Sequence, residues 1–282
     1  LHSRLRTYSW VMIVIIASFA LLISYVNWDS REKEARQVSQ RVLTRTVSEV
    51  EYYYRESARS AQSLVDNQAR IEGIYKYFSL STPDYFYWQL ERKASPYISV
   101  SIYENIDDLY VRNDFVTGVA IVLQDSTEVY VSKRDNRSGY KVSADAFKPD
   151  ANSFAIPVSD PVSDQALGVI YVSVSSDVFY KAIDNTRGNI PIAVSITSPF
   201  ETDMFHQGEK SDREEWLQDE TAHGYQVQFA VPRDYVLSVS ISSSVFILAL
   251  SLLFIVILYV TLKKTFSKYQ TQVVDLVETI HD

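Results

Sequence analysis

The sequence predicts an α+β domain, residues 29–234, held between two membrane-spanning helices. Three observations carry that prediction. Two long runs lack any charge, the stretch after the first run keeps a helical apolar period, and from residue 115 onward the period changes to that of strands. The domain is expected to hold an antiparallel sheet with a long N-terminal helix before it.

The first uncharged run extends from Thr7 to Trp28, and a short N-terminal segment, residues 1–8, precedes the span within it. The second covers Tyr235 to Leu262. A helix rises about 1.5 Å per residue and the hydrocarbon core is about 30 Å thick, so either run is long enough to cross. Within lipid, a helix satisfies its own backbone hydrogen bonds. The spans are placed at residues 9–28 and 235–262. A cleaved signal peptide also has a basic start and an apolar middle. Here the apolar part is long for that role, and a charged, helix-like stretch follows it in place of a small-x-small site.

Arg4 and Arg6 precede the first span, and Lys263, Lys264 and Lys268 follow the second. The positive-inside rule puts both flanks in the cytoplasm and residues 29–234 outside, at the cell membrane. Trp10, Trp28 and Tyr259 stand where interfacial aromatics belong. Of 27 Lys and Arg and 35 Asp and Glu, 22 and 32 fall on residues 29–234, a net charge near −10. That excess argues against nucleic acid as a partner and favours a neutral or cationic ligand. The chain has no cysteine, so no disulfide framework holds the outer domain; a hydrophobic core must do so.

From Asp29 to about Ile74 the only helix breaker is Gly73, and Val38, Val42, Val50, Tyr53, Ala61, Leu64, Val65 and Ile71 recur at helical spacing. The pattern predicts one helix over residues 29–74, about 60 Å long. Its apolar stripe needs a partner, either its own domain or the same helix of a second subunit. Pro83 suits a first helical turn, which predicts a short helix over Tyr85–Lys93. The segment Val100–Leu109 fits helix and strand alike.

Strands are predicted at Phe115–Leu123 and Thr127–Ser132, joined by a Gln124–Ser126 hairpin turn, and at Ser153–Val158 and Leu167–Val174. Arg134–Gly139 reads as a polar loop. Ser176 and Asp177 can cap a helix at Val178–Asn185. Further strands are expected at Ile190–Ile196 and Tyr225–Val231. The region 115–231 is read as one sheet with helices attached, a single module with a long helical preface. Past the second span, Phe266, Val273, Leu276 and Ile280 give residues 263–282 a coiled-coil-like pattern. A start at Leu1 and a stop at Asp282 inside a helical pattern predict a fragment of a longer protein.

Motifs for chemistry are absent. The seven glycines form no phosphate loop, no Gly-x-Ser-x-Gly occurs, and His2, His206, His223 and His281 have no metal-like spacing. No catalytic, metal or cofactor role is expected of this chain. His281 reads as a linker residue, since 18 residues from Leu262 leave no room for a full linker before a phosphoacceptor helix.

The unusual feature is aromatic content: 20 Tyr, 13 Phe and 4 Trp. Aromatic walls with a few polar groups suit sugars or amines; the plainer reading is that Tyr fills a core and its edges.

The order of elements resembles the extracytoplasmic Cache (PAS-like) sensor domains of bacterial receptors, over about residues 29–262. The likeness is carried by Phe115-Val-Thr-Gly-Val-Ala-Ile-Val, by Gly168-Val-Ile-Tyr-Val-Ser-Val-Ser-Ser-Asp-Val-Phe, and by Tyr225-Gln-Val-Gln-Phe-Ala-Val-Pro-Arg-Asp-Tyr-Val-Leu. The segment after Leu262 is similar to the first helix of a HAMP linker, but lacks the Pro usual near its start. The layout is most similar to sensor histidine kinases of Gram-positive bacteria; chemoreceptors and diguanylate cyclases share this front end. The resemblance implies a dimeric receptor with a small extracellular ligand or a solute-binding protein as partner. It also implies ATP used by a kinase domain beyond Asp282, a response regulator downstream and membrane lipid around the spans. PAS-like domains bind ligands between the sheet and the elements over one face, which points to Trp88, Tyr103, Arg112, Tyr130, Arg134 and Tyr171. The competing expectation is a membrane-anchored scaffold whose long helix docks a partner. An extracellular enzyme has no motif behind it.

Overall fold

The computed structural model describes residues 2–92, 101–187, 191–208, 216–231 and 233–281. The chain divides into two compact units, one made of Leu1–Val38 and Val231–Asp282, the other of Ser39–Ala230.

The first unit contains the N-terminal part of helix α1 (His2–Ser63) and helix α6 (Arg233–His281). Both helices are long and apolar enough to cross a membrane. Phe19, Leu21, Leu22, Leu252, Leu253 and Phe254 all point outward. An apolar surface all round a helix suits lipid and is unfavourable in water. Ile16 and five residues of α6, Leu250, Ser251, Leu253, Phe254 and Ile257, line a crevice of about 390 Å³.

The second unit is α+β. The rest of α1 lies along it with Val42, Val50 and Ala61 fully buried, so the apolar stripe packs on its own domain. The helix does not run to residue 74. It ends at Ser63, whose carbonyl accepts from Arg70 Nη1, and Asp66 holds the same guanidinium at 2.9 Å. Asn67 then caps helix α2 (Gln68–Ser79) by accepting from the Arg70 amide at 3.0 Å. Helix α3 (Thr82–Arg92) and helix α4 (Ile102–Arg112) follow. The ambiguous segment is therefore helical from Ile102, with Ser101 at the N-cap; Val100 lies outside the described residues, as does Lys93.

The strands form two sheets, not the single sheet the alternation suggested. The first has the order β3-β2-β1-β5-β4, with β1 Val116–Leu123, β2 Glu128–Lys133, β3 Asn136–Ser143, β4 Ser153–Ser159 and β5 Ala166–Val174. The expected polar loop at Arg134–Gly139 is mostly strand β3. Helix α5 (Asp177–Arg187) leads to the second sheet, with order β7-β6-β9-β8. Its strands are β6 Ala193–Thr197, β7 Asp203–Gln207, β8 Leu217–Glu220 and β9 Gln226–Ala230. Ile190, the expected start of β6, lies outside the described residues. All neighbours in both sheets are antiparallel.

Candidate functional site

Cross-strand partners share a sheet face, so the register sorts the side chains of the first sheet. One face carries the rows Ser132–Val119–Val172–Phe154 and Tyr130–Ile121–Ile170–Ile156. Every one of these residues is buried. The helices cover this face: Tyr77 of α2 packs edge-on against Tyr130 with ring centres 5.3 Å apart, and Tyr54 of α1 does the same to Phe154 at 5.7 Å.

Most of the predicted residues gather on this helical side. Tyr77 also meets Tyr85 and Tyr103 edge-on, and Trp88 stacks on Tyr85 at 5.6 Å. The Tyr85 hydroxyl accepts from the Ile102 amide at 3.0 Å, supplying a partner for one of the free N–H groups at the start of α4. Tyr130 is fully buried. The Lys141 ammonium sits 5.1 Å from the Tyr77 ring and donates to the Phe78 carbonyl at 3.2 Å, with Glu128 at 3.1 Å. The cluster thus already holds a cation from its own chain. Arg134 lies 5.4 Å from the Tyr110 ring and donates to the Val116 and Asn113 carbonyls, so it ties α4 to β1. Arg112 is apart from the others, exposed and paired with Asp108 at 3.2 Å. Trp88, Tyr103, Tyr130 and Arg134 are built into packing; Tyr171 is on the opposite face.

Burial is the first cause that raises the phenol pKa of Tyr77, Tyr85, Tyr110 and Tyr130. Only the neutral phenol suits such surroundings. An unfolded tyrosine ionises near ~10. The stability these rings contribute is therefore complete below that pH and is lost as pH rises through the higher folded values. The check is an alkaline titration of the full chain followed by phenolate absorbance. A cooperative rise in phenolate absorbance should then coincide with loss of circular dichroism.

The other face of the first sheet is different. It carries the rows Tyr140–Val131–Ala120–Tyr171–Ala155 and Val142–Val129–Val122–Val169–Pro157. Val122, Val131, Val142, Val169, Ala155 and Tyr171 are only partly covered, and Tyr140 is 48% exposed. The cover comes from the segment after β3, where a short 3-10 turn, Ala144–Ala146, leads to Phe147, whose ring lies 5.6 Å from that of Tyr171. A third row, Lys133–Gly118–Ser173–Ser153, ends the apolar strip in polar groups. Ser173 Oγ donates to Asp150 Oδ2 at 3.1 Å and is 2.9 Å from Ser153 Oγ. The second sheet has no such face: beside its buried row of Ile196, Phe205 and Val227, the opposite side shows Ser195, His206, Gln228 and Gln218.

No protein-family model matches the sequence, and a comparison with curated proteins found no match. Among solved structures the chain is similar to the sensory domain of the Campylobacter jejuni chemoreceptor Tlp3 (CcmL) with isoleucine bound. Identity is 13% and the TM-score 0.38, over 75% of this chain and 98% of that one. The ligand-binding domain of Tlp3 in complex with L-valine gives 11% and 0.39 over the same shares. A methyl-accepting chemotaxis protein X gives 11% and 0.33, over 75% of this chain and 99% of that one.

Among the described residues, no group of three or more His, Asp or Glu side chains could hold a metal ion. Sequence reasoning missed Phe147, Ser153, Ser173 and Asp150, which frame the open face. It also missed Tyr77, the ring at the centre of the buried cluster. The parity of β5 separates Tyr171 from Ile170 and Val172, but which parity the helices cover depends on register, and no local motif encodes that.

Proposed function

We propose that this chain is the sensing and membrane-spanning part of a Cache-like signal receptor, and that it reads a small molecule on the open face of the first sheet. The observation that carries this reading is the contrast between the two sheets. Each has one buried face: helices cover that of the first, and α5 meets Phe205 of the second through Phe179 and Tyr180. The second sheet offers polar side chains to water on its free face, as antiparallel sheets commonly do. The first offers Val122, Val131, Val169 and Tyr171, half covered by a loop, with hydroxyls and the Asp150 carboxylate at one end. An apolar strip left this way costs free energy unless something else covers it. Because the Phe147 segment already shields much of it, the remainder is small for a protein interface, which takes roughly 800 Å² per partner. It suits a compact ligand with an apolar body and a hydrogen-bond-donating head.

The remaining parts of the reading rest on sequence. The basic residues at Arg4, Arg6, Lys263, Lys264 and Lys268 support cytoplasmic flanks and an outer domain between them. The resemblance of the layout to Gram-positive sensor kinases supports a homodimer that passes its signal through residues 263–282 to an ATP-dependent histidine kinase and a response regulator. Binding would bias two arrangements of the outer domain.

The test uses the full chain in lipid nanodiscs, screened by thermal shift against amino acids, amines and neutral sugars. A ligand found this way should bind about tenfold more weakly to Tyr171→Ala. Its affinity should be unchanged in Phe86→Ala, on the exposed side of α3. Binding that ignores Tyr171 overturns the site assignment, and no stabilising compound in any of the three classes overturns the small-molecule reading.

A further inference from the structure

A second constellation lies where α1, the first sheet and the second sheet meet. The turn between β8 and β9 closes tightly: Thr221 N donates to the Tyr225 carbonyl at 2.9 Å, and Gly224 N donates to the Thr221 carbonyl at 3.1 Å. Gly224 takes φ +81, which brings the turn round in a form that few other residues adopt. This geometry sets two side chains against α1. Tyr225 is buried, with its ring 5.1 Å from Phe154 of β4 and 5.9 Å from Tyr54 of α1. The His223 imidazole stacks on Tyr54 with ring centres 3.8 Å apart and 27° between planes, and its Nδ1 lies 3.1 Å from Glu51 Oε2.

We propose that His223, Glu51 and Tyr54 form a proton-operated clasp between the β8–β9 turn and α1. Histidine is the side chain whose ordinary charge change falls between pH 5 and 8. When neutral, His223 makes one hydrogen bond to Glu51 and an aromatic stack on Tyr54. When protonated it makes an ion pair with the same carboxylate and a cation–π contact with the same ring. Burial, and after it the Glu51 charge, raise the Tyr54 pKa, so Tyr54 stays a neutral ring through this range.

The carboxylates around the turn act in the same direction. Glu220, at the end of β8, reaches beside Gly224, and Asp219 precedes it; both are exposed carboxylates. Tyr225 is held neutral by burial, and β4 presents the uncharged Phe154. Among the described residues, an opposing charge is carried by Arg55, next to Tyr54 on α1 and turned to solvent. Acid therefore tightens the clasp and alkali loosens it.

The placement gives the clasp a regulatory consequence. Phe154 belongs to the strand whose neighbour Ala155 lies on the open face of the first sheet, while Tyr225 leads straight into β9, and α6 begins three residues after β9 ends. A tie at this joint sets how firmly the first sheet, α1 and β9 move as one. External acidification would thus act on the same joint as a ligand, without sharing its site.

The experiment is a double-mutant cycle of His223→Gln and Glu51→Gln in the full chain in nanodiscs, at about pH 5.5 and about pH 8, either side of the histidine range. Coupling at the lower pH should change the unfolding constant roughly threefold, the scale of a partly exposed ion pair, and should fall below about twofold at the higher pH. Hydrogen exchange of residues 221–225, compared between wild type and His223→Gln at each pH, should show extra protection in the wild type only in acid. Equal coupling at both pH values, or protection differences that do not depend on pH, would overturn the clasp. Either outcome leaves the ligand reading untouched, because Tyr171 lies on another face.

Discussion

Gly168→Ala is expected to cost about 4 kcal/mol or more, a large share of the stability of an ordinary domain. Gly168 stands where β5 pairs with Leu123 of β1 and Val158 of β4, with φ +152, a backbone conformation that side chains with a Cβ rarely adopt. A Cβ there would lie 2.0 Å from the Val122 carbonyl oxygen and 2.9 Å from Leu123 Cα. Both neighbours are backbone atoms of the central strand, so no rotamer change relieves the clash. Gly118→Ala is the matched control. Its Cβ would meet Ser173 Oγ at 3.2 Å, a side-chain contact that a shift of a few tenths of an ångström relieves at some cost to the Asp150 hydrogen bond, and the expected cost is about 1–2 kcal/mol. Chemical denaturation of both variants in the full chain should separate them clearly, and equal losses would mean that β5 pairs differently from the register described.

That contrast also marks how far the sequence could be read. The two helices long and apolar enough to cross a membrane are legible because each carries a run of twenty-odd residues without a charge. The burial of α1 is legible from Val42, Val50 and Ala61, which keep one helical face. The end of α1 is not: Leu64–Asn67 contains no Pro or Gly, and the break comes from Asn67 capping α2 and Arg70 reaching back to Ser63. Strand β3 was hidden because Asn136, Arg137, Ser138 and Gly139 begin an edge strand with no apolar alternation. Strand β8 is similarly a polar edge, and β7, the other edge of the second sheet, has only Met204 and Phe205 as apolar residues, side by side and without alternation. Whether nine strands make one sheet or two depends on which strands pair, and alternation within a strand says nothing of its neighbour. The aromatic richness was a sound pointer to packing around the first sheet. Aromatic content alone does not separate rings inside the helical cover, such as Tyr130, from Tyr171 on the open face.

Two tyrosines in adjacent rows of the same sheet should therefore behave in opposite ways. Tyr130→Ala removes a fully buried ring at the centre of a cluster with Tyr77, and should destabilise the domain by about 3–5 kcal/mol. Tyr130→Phe should cost about 1 kcal/mol or less. The Tyr130 hydroxyl reaches the Arg137 and Ser138 carbonyls only at 3.5 and 3.4 Å, at the weak end of hydrogen bonding. Neither change touches the open face, so a ligand bound there should keep its affinity in Tyr130→Phe. Tyr171→Ala sits on that face, half covered, against Phe147. Its stability cost should be about 1–2 kcal/mol, less than that of the buried ring, while binding falls about tenfold. Measured together, denaturation midpoint and ligand affinity distinguish a residue that builds the sheet from one that the sheet presents. If Tyr130→Phe abolished binding and Tyr171→Ala did not, the ligand would have to enter on the helical side, through rings that the folded domain now fills with its own side chains.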